Sequence, residues 1–451
     1  MRTSLTLRNV RLLQLAFYSL SCLWVIGCAT HAHRLALPRD QFFNNQLTAA
    51  HTSLEKVVDK ARRDRSVAEL DLAIIELFNG DAQTAQSRLR EVRDRWEHLE
   101  QTSLAEQATG YMTDDQRLAY SGEDYEKLLV GVFLTLSDLM QGGIDAESYT
   151  LQTIKKHADL IERLQAKSPD ESTIAAYRLP AIAPYLRGVL REETHRNYDD
   201  ALEAYQQAIE CWPHLTQLQS DIERVEHGVH SSPGNGVLYV FALVGRGPYK
   251  VETTHEVTSE ALLVADQIFS ALGKYSVPPT LAPVKIPAIA CEPKPFEFLG
   301  VQINQLPAAT TMSITDLNLL AIESFAANQT QVIARAAVRR VLKKGTVYAA
   351  KEQLEASSPV ASFAMDAMGV LWEASESADT RCWGLLPREI QVARIELPAG
   401  IHQLSLEPII LGKPIASAVD VMVEVQDGAN TYALSFWPGI APVGKLLVSH
   451  R

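Results

Sequence analysis

Apolar side chains recur at helical spacing through the first half of the chain and at strand spacing through the second. Val67, Leu70, Ile74 and Leu77 fall on one face, a break follows at Asn79, Gly80 and Asp81, and Ala82, Ala85, Leu89, Val92 and Trp96 resume the stripe. This pattern predicts a helical hairpin. Leu129, Val132, Phe133 and Leu136, then Gly142 and Gly143, then Leu151, Ile154, Ala158 and Ile161 predict a second. Leu215, Leu218, Ile222 and Val225 form one more amphipathic stripe, suited to capping a stack. From about residue 41 to residue 226 helical periodicity dominates.

The clearest unit of this array lies near its end. Gly188, Tyr198, Ala201, Tyr205, Ala208 and Pro213 stand at spacings that resemble the tetratricopeptide repeat. In that repeat small residues let two antiparallel helices approach, an aromatic ring fills the gap and proline closes the unit. Gly188 lies thirteen residues before Ala201 where the motif has twelve, so the intervening turn carries one extra residue. Most of these apolar residues are expected in the core, because a stack buries its inner faces before it offers a groove.

His227 to Gly236 is dense in turn formers and marks a boundary. Beyond it, Val237 to Val244 is a continuous apolar run with branched and aromatic members, which predicts a buried strand. A helix near Ser259 to Leu272, strands around Val284 to Ile289, Phe298 to Ile303 and Thr311 to Ile314, and a helix over 329–356 with a second after Pro359 describe an α+β layer. Gln391 to Leu397, Ile401 to Leu406, Val419 to Val425 and Tyr432 to Trp437 alternate with turn residues in the rhythm of a small antiparallel β-sandwich. The expected fold is thus α+β and multidomain. It comprises a signal segment at 1–27, a tether at 28–40, the tetratricopeptide-like array at 41–226, a linker at 227–236, an α+β domain at 237–390 and a β-sandwich subdomain at 391–451.

The amino terminus carries an address. Arg2, Arg8 and Arg11 precede an uncharged apolar run from Leu12 to Gly27, too short for a secure membrane span and ordered as in an export signal. Its end, Val25, Ile26, Gly27 and Cys28, resembles the lipobox of bacterial lipoproteins. That resemblance implies cleavage before Cys28, a diacylglycerol on its sulfur and a further fatty acid such as palmitate on the new amino group. Each buried methylene contributes about 0.8 kcal/mol, so two or three chains hold the protein to a membrane durably. Ala29, where an aspartate would favour inner-membrane retention, implies the outer membrane with the body facing the periplasm.

Charge narrows the partners. Lys and Arg number 42 against 54 Asp and Glu, a net charge of −12, which disfavours nucleic acid held by bulk charge. Loss of residues 1–27 removes three arginines and no acid, taking −12 to −15. Cys211, Cys291 and Cys382 are widely spaced; they read as small buried residues, with one disulfide among them open in an oxidising compartment. The paired histidines His31/His33 and His227/His230 fall in segments expected to be flexible, and no spacing calls for a metal or another cofactor. Arg335, Arg339, Arg340, Lys343 and Lys344 form a basic helix face, expected to be solvated or paired within the chain, with an anionic ligand site as the alternative.

The densest polar cluster runs from Asp379 to Pro387 and continues with Arg388, Gln391 and Arg394. Asp379 is placed to orient Arg381 while Trp383 packs inward, which reads as a structural joint, with a carboxylate or sugar site as the alternative. The chain here resembles a group of bacterial lipoproteins of unassigned activity. These share a Gly-x-Gly-Pro turn, here Gly245 to Pro248, an Ala-Arg-Ala helix, here Ala334 to Ala336, and an Asp-x-Arg-x-Trp-x-x-Leu-Pro segment, here Asp379 to Pro387. The sequence carries no hydrolase elbow, no zinc-protease helix and no nucleotide loop. The function expected is a non-catalytic interaction scaffold or accessory factor, lipid-anchored to the envelope and serving an envelope protein partner. A glycan- or peptidoglycan-binding module is the alternative, for which Trp437 would be the exposed platform unless it packs in the core, the more usual place for it, and a cell-wall hydrolase is the third.

Overall fold

The computed structural model describes residues 31–110, 119–167, 170–213, 215, 217–271, 282–354 and 377–449. The export signal, Cys28 and the helix expected after Pro359 lie outside these residues. A helical region fills the first half and a strand-rich region the second, so the chain is mixed α and β.

The helices are α1 (His31–Phe43), α2 (Leu47–Lys60), α3 (Arg65–Asn79), α4 (Ala82–Gly110), α5 (Asp124–Leu139), α6 (Ala146–Lys167), the short α7 (Glu171–Ala175), α8 (Ile182–Glu192), α9 (Tyr198–Cys211) and α10 (Gln217–Glu226). Helices α1 to α6 pack each on the next, α6 meets α8, and α8, α9 and α10 follow in turn. Gly80 ends α3 at φ 96°, in the left-handed region that a side chain disfavours. The segment expected as a tether at 28–40 is corrected from His31 onward: α1 buries Leu35 and Phe42 completely, seven positions apart and so on one face. Phe42 lies 5.6 Å from Phe436 of the strand region.

The strand region opens with β1 (Asn235–Val244), β2 (Tyr249–His255), α11 (Ser259–Ala271), β3 (Val284–Ala290), β4 (Phe298–Ile303), β5 (Leu306–Thr310) and β6 (Met312–Asp316). Helix α12 (Leu317–Leu354) starts earlier than residue 329, because Asp316 accepts the amide of Leu319 and caps it. Then follow β7 (Glu389–Pro398), β8 (Gly400–Ile410), the two-residue β9 (Lys413–Pro414), β10 (Val419–Val425), β11 (Asn430–Trp437) and β12 (Val443–Val448). One sheet has the order β12-β11-β1-β7-β6 and a second β10-β8-β4-β5, while β2 and β3 form a separate hairpin.

Strand β1 shows why its run is apolar throughout. Val237, Tyr239, Phe241 and Leu243 join the core shared with the helices, whereas Leu238, Val240, Ala242 and Val244 join the core between the two sheets. The layers are therefore helices, first sheet, second sheet. The expected β-sandwich subdomain at 391–451 is corrected accordingly. Strand β11 pairs with β1 in parallel and β7 pairs with β1 antiparallel, so the last strands complete sheets begun by residues 235–316. The 227–236 segment separates helix from strand but not two cores, since one cluster of buried side chains extends from Leu35 to Val443.

Candidate functional site

The residues 377–388 have no regular secondary structure before β7, yet most of them are buried. Asp379 Oδ1 accepts the amide of Arg381 at 3.1 Å and its Nε at 2.8 Å, while Oδ2 accepts the terminal guanidinium nitrogen at 2.7 Å. This bidentate fork closes a tight turn and fixes the arginine plane. The Arg381 guanidinium then lies over the Tyr120 ring, 5.3 Å from its centre, and contacts Asp64 at 3.3 Å.

Trp383 follows and is fully buried, 5.2 Å from the Phe133 ring of α5. Its amide donates to Glu126 at 2.8 Å, and the amide of Leu385 donates to Asp71 at 3.1 Å. Arg39 of α1 donates to the Cys382 carbonyl at 2.8 Å and to Asp71 at 2.6 Å. A Cβ at Gly384 would sit 2.1 Å from the Arg39 guanidinium carbon, so only glycine admits that side chain. An extended backbone carries unpaired amides and carbonyls that burial would make costly, and α1, α3 and α5 supply the partners. The inner surface of the helical array is thus occupied by the chain's own segment.

The turn Gly245 to Pro248 lies against the same segment. The Gly247 amide donates to the Leu386 carbonyl at 2.8 Å, and Arg388 donates to the Val244 carbonyl at 3.0 Å. A Cβ on Gly247 would approach the Leu386 carbonyl oxygen to 2.6 Å. Beyond the turn, Lys250 of β2 is buried and paired with Glu123. Burial works against its charge, but Glu123, Asp379 and Glu126 offset this and hold its pKa above the usual lysine value. Burial likewise opposes ionisation of Asp379, and Arg381 with Lys250 overcomes it, leaving that carboxyl below its ordinary range.

These groups border a cavity of about 340 Å³ between the start of α5, the β2–β3 hairpin, α12 and the Asp379–Arg381 turn. Arg335 and Arg339 of α12 face it, which brings the basic helix and the Asp379 segment to one place although 40 residues separate Arg339 from Asp379. Arg340 instead donates to the carbonyls of Ala282 and Pro283. Ala334 and Ala336 are buried against α11 and β3, and the side chains of Lys343 and Lys344 lie outside those described.

A second groove, of about 370 Å³, runs between α4, α5 and α6. Trp96, Val130 and Leu134 border it with Arg93, Lys155 and Asp159. The helices approach closely here, for a Cβ on Gly131 would meet the Thr153 hydroxyl at 1.9 Å.

The remaining residues singled out in the sequence fall as follows. Gly188 of α8 faces Tyr205 of α9, whose ring would lie 2.5 Å from a Cβ at that position. Ala201, Tyr205 and Ala208 are fully buried; Tyr198 opens α9, and Pro213 follows its end by two residues. The Tyr205 hydroxyl donates to the buried Glu192 at 2.7 Å, which Arg224 grips at 2.7 and 2.9 Å and Arg394 of β7 reaches at 3.4 Å. Cys211, Cys291 and Cys382 are free thiols. One expectation is corrected. His230 belongs to no flexible segment: it is buried and bonded to Asn430 at 2.8 Å, and burial lowers its pKa. Trp437 offers no sugar platform, being fully buried against Phe296 with its indole N–H on Ser435.

Sequence reading passed over Arg39, Asp64, Asp71, Glu126 and Lys250. A signal existed in α3, where Glu69, Asp71 and Glu76 interrupt an otherwise apolar stretch and all three are buried. Carboxylates inside an all-round apolar helix mark places where something must bond to them. Among the described residues no group of three potential metal ligands occurs. No protein-family model, curated protein or solved structure matches the chain.

Proposed function

We propose that this chain is a lipid-anchored, non-catalytic interaction protein of the bacterial envelope, and that its partner docks in the groove between α4, α5 and α6. One observation carries the reading. The array surface that faces the strands is filled by residues 379–387, whereas this groove of about 370 Å³ is left open, its floor closed by the buried Trp96, Val130 and Leu134 and its rim polar and charged, with Arg93, Gln152, Lys155 and Asp159. An open groove with a charged and polar rim suits a protein segment that brings complementary polar and charged groups. The α8–α9 hairpin, with Gly188 against Tyr205, supports reading the array as tetratricopeptide-like.

The anchor is Cys28, acylated after removal of residues 1–27, on the outer membrane facing the periplasm. The test is photo-crosslinking in intact envelopes with the reactive group at Gln152, on the groove, or at Asp420, exposed on β10. A discrete adduct from 152, weakened by Lys155→Glu and absent from 420, supports the reading. No adduct from 152, or the same adduct from both positions, overturns it.

A further inference from the structure

We propose that the cavity between α5, the β2–β3 hairpin, α12 and the Asp379–Arg381 turn binds a small organic anion through a carboxylate or phosphate group. Among the described residues five cationic and three acidic side chains line it, in a protein whose net charge is −12. The three acids are already engaged: Glu123 with Lys250, Asp379 with Arg381, Asp124 with Lys127. Arg335 is different. It is exposed, its bond to Gln331 is 3.4 Å long, and among the described residues no carboxylate pairs with it. Arg339 stands one turn further along the same wall.

A guanidinium presents a planar fork that matches a carboxylate or phosphate edge, and Arg335 is placed to grip such a group. The rest of the wall suits the body of an organic molecule: Tyr177 and Phe325 supply apolar surface, and Ser324 and Asn328 supply hydrogen bonds. A volume of about 340 Å³ is at the lower end of small-ligand sites. The ion pairs Lys250–Glu123 and Asp379–Arg381, each with its cation's side chain buried, fix the opposite wall, so little order must be gained on binding. The site shares Lys127 with the α4–α6 groove proposed for a protein partner, but Arg335 does not line that groove, so substitutions there test the cavity by itself.

The experiment is calorimetric titration of the mature chain with succinate and, separately, glycerol phosphate at constant ionic strength, repeated on Arg335→Gln and Arg335→Glu. Saturable binding of at least one anion, weakened about tenfold or more by the neutral change and abolished by the reversal, is the expected result. Which anion binds more tightly distinguishes a carboxylate from a phosphate ligand. Because Arg335 is exposed, both variants should melt with the parent protein, and that melting curve is recorded alongside. Absence of saturable binding by both anions, or equal binding by parent and variants, overturns the proposal.

Discussion

The Trp383 amide donates to the Glu126 side chain at 2.8 Å, joining positions 257 residues apart. Glu126 also accepts the Tyr120 hydroxyl at 2.5 Å and the Glu123 amide at 3.1 Å, so one buried carboxylate closes a helix start and holds the segment threaded behind it. Burial pushes its pKa up, against the pull of Lys250 and these donors. Glu126→Gln keeps one acceptor oxygen where two are used. The variant is expected to lose about 1–3 kcal/mol in urea unfolding. Unchanged stability would show that the three bonds contribute nothing net.

Arg39 and Asp71 form the second tie, and here the cost of separation is larger. Asp71 is fully buried, and Arg39 Nε lies 2.6 Å from it. Arg39→Met leaves that charge in the core without its cation, at an expected cost of about 3–5 kcal/mol. Adding Asp71→Asn should recover a large part of the loss. Strict additivity of the two changes would contradict the coupling.

Gly188→Ala separates close packing from helix propensity. On an open helix face the change would stabilise by about 0.5–1 kcal/mol. Against the Tyr205 ring, 2.5 Å from the new Cβ, it is expected to destabilise by about 1–3 kcal/mol. The sign of the shift in melting temperature decides.

Glu100 gives the acid limb of stability a local origin. Burial opposes its charge, but Lys127 and Lys156 overcome this and hold the carboxyl down to about 2, from an ordinary 4.5. A carboxyl depressed in the folded state contributes stability that is present above 4.5 and is lost as pH falls through its folded value. The difference in unfolding free energy between the parent and Glu100→Gln should therefore be constant above pH 5 and shrink toward pH 2. A difference that grows on acidification would contradict the assignment.

The elements themselves were readable where the physics is local. The run Val237 to Val244 marks a strand because both of its faces are covered, and Gly80 marks a helix end because the chain turns left-handed there. What could not be read is who covers whom. The parallel pairing of Val237 with Asn430 spans most of the strand region, and nothing near either residue specifies the other. Strand β2 alternates half-buried and exposed positions and carries charge, so it lacked an apolar signal. Helix α1 was hidden by Pro38 and by an arginine whose partner lies in α3. Arg335 and Asp379 were each conspicuous alone; only the fold places them around one cavity.

Hydrogen exchange of residues 379–388 in the whole protein tests most directly whether the array is occupied by its own chain. The amides of Trp383 and Leu385 are expected to exchange as slowly as those of β1, and Glu126→Leu should accelerate both while β1 stays protected. Exchange of that segment at the rate of an open loop, with β1 still protected, would show the inner surface of the array to be free and would contradict the account.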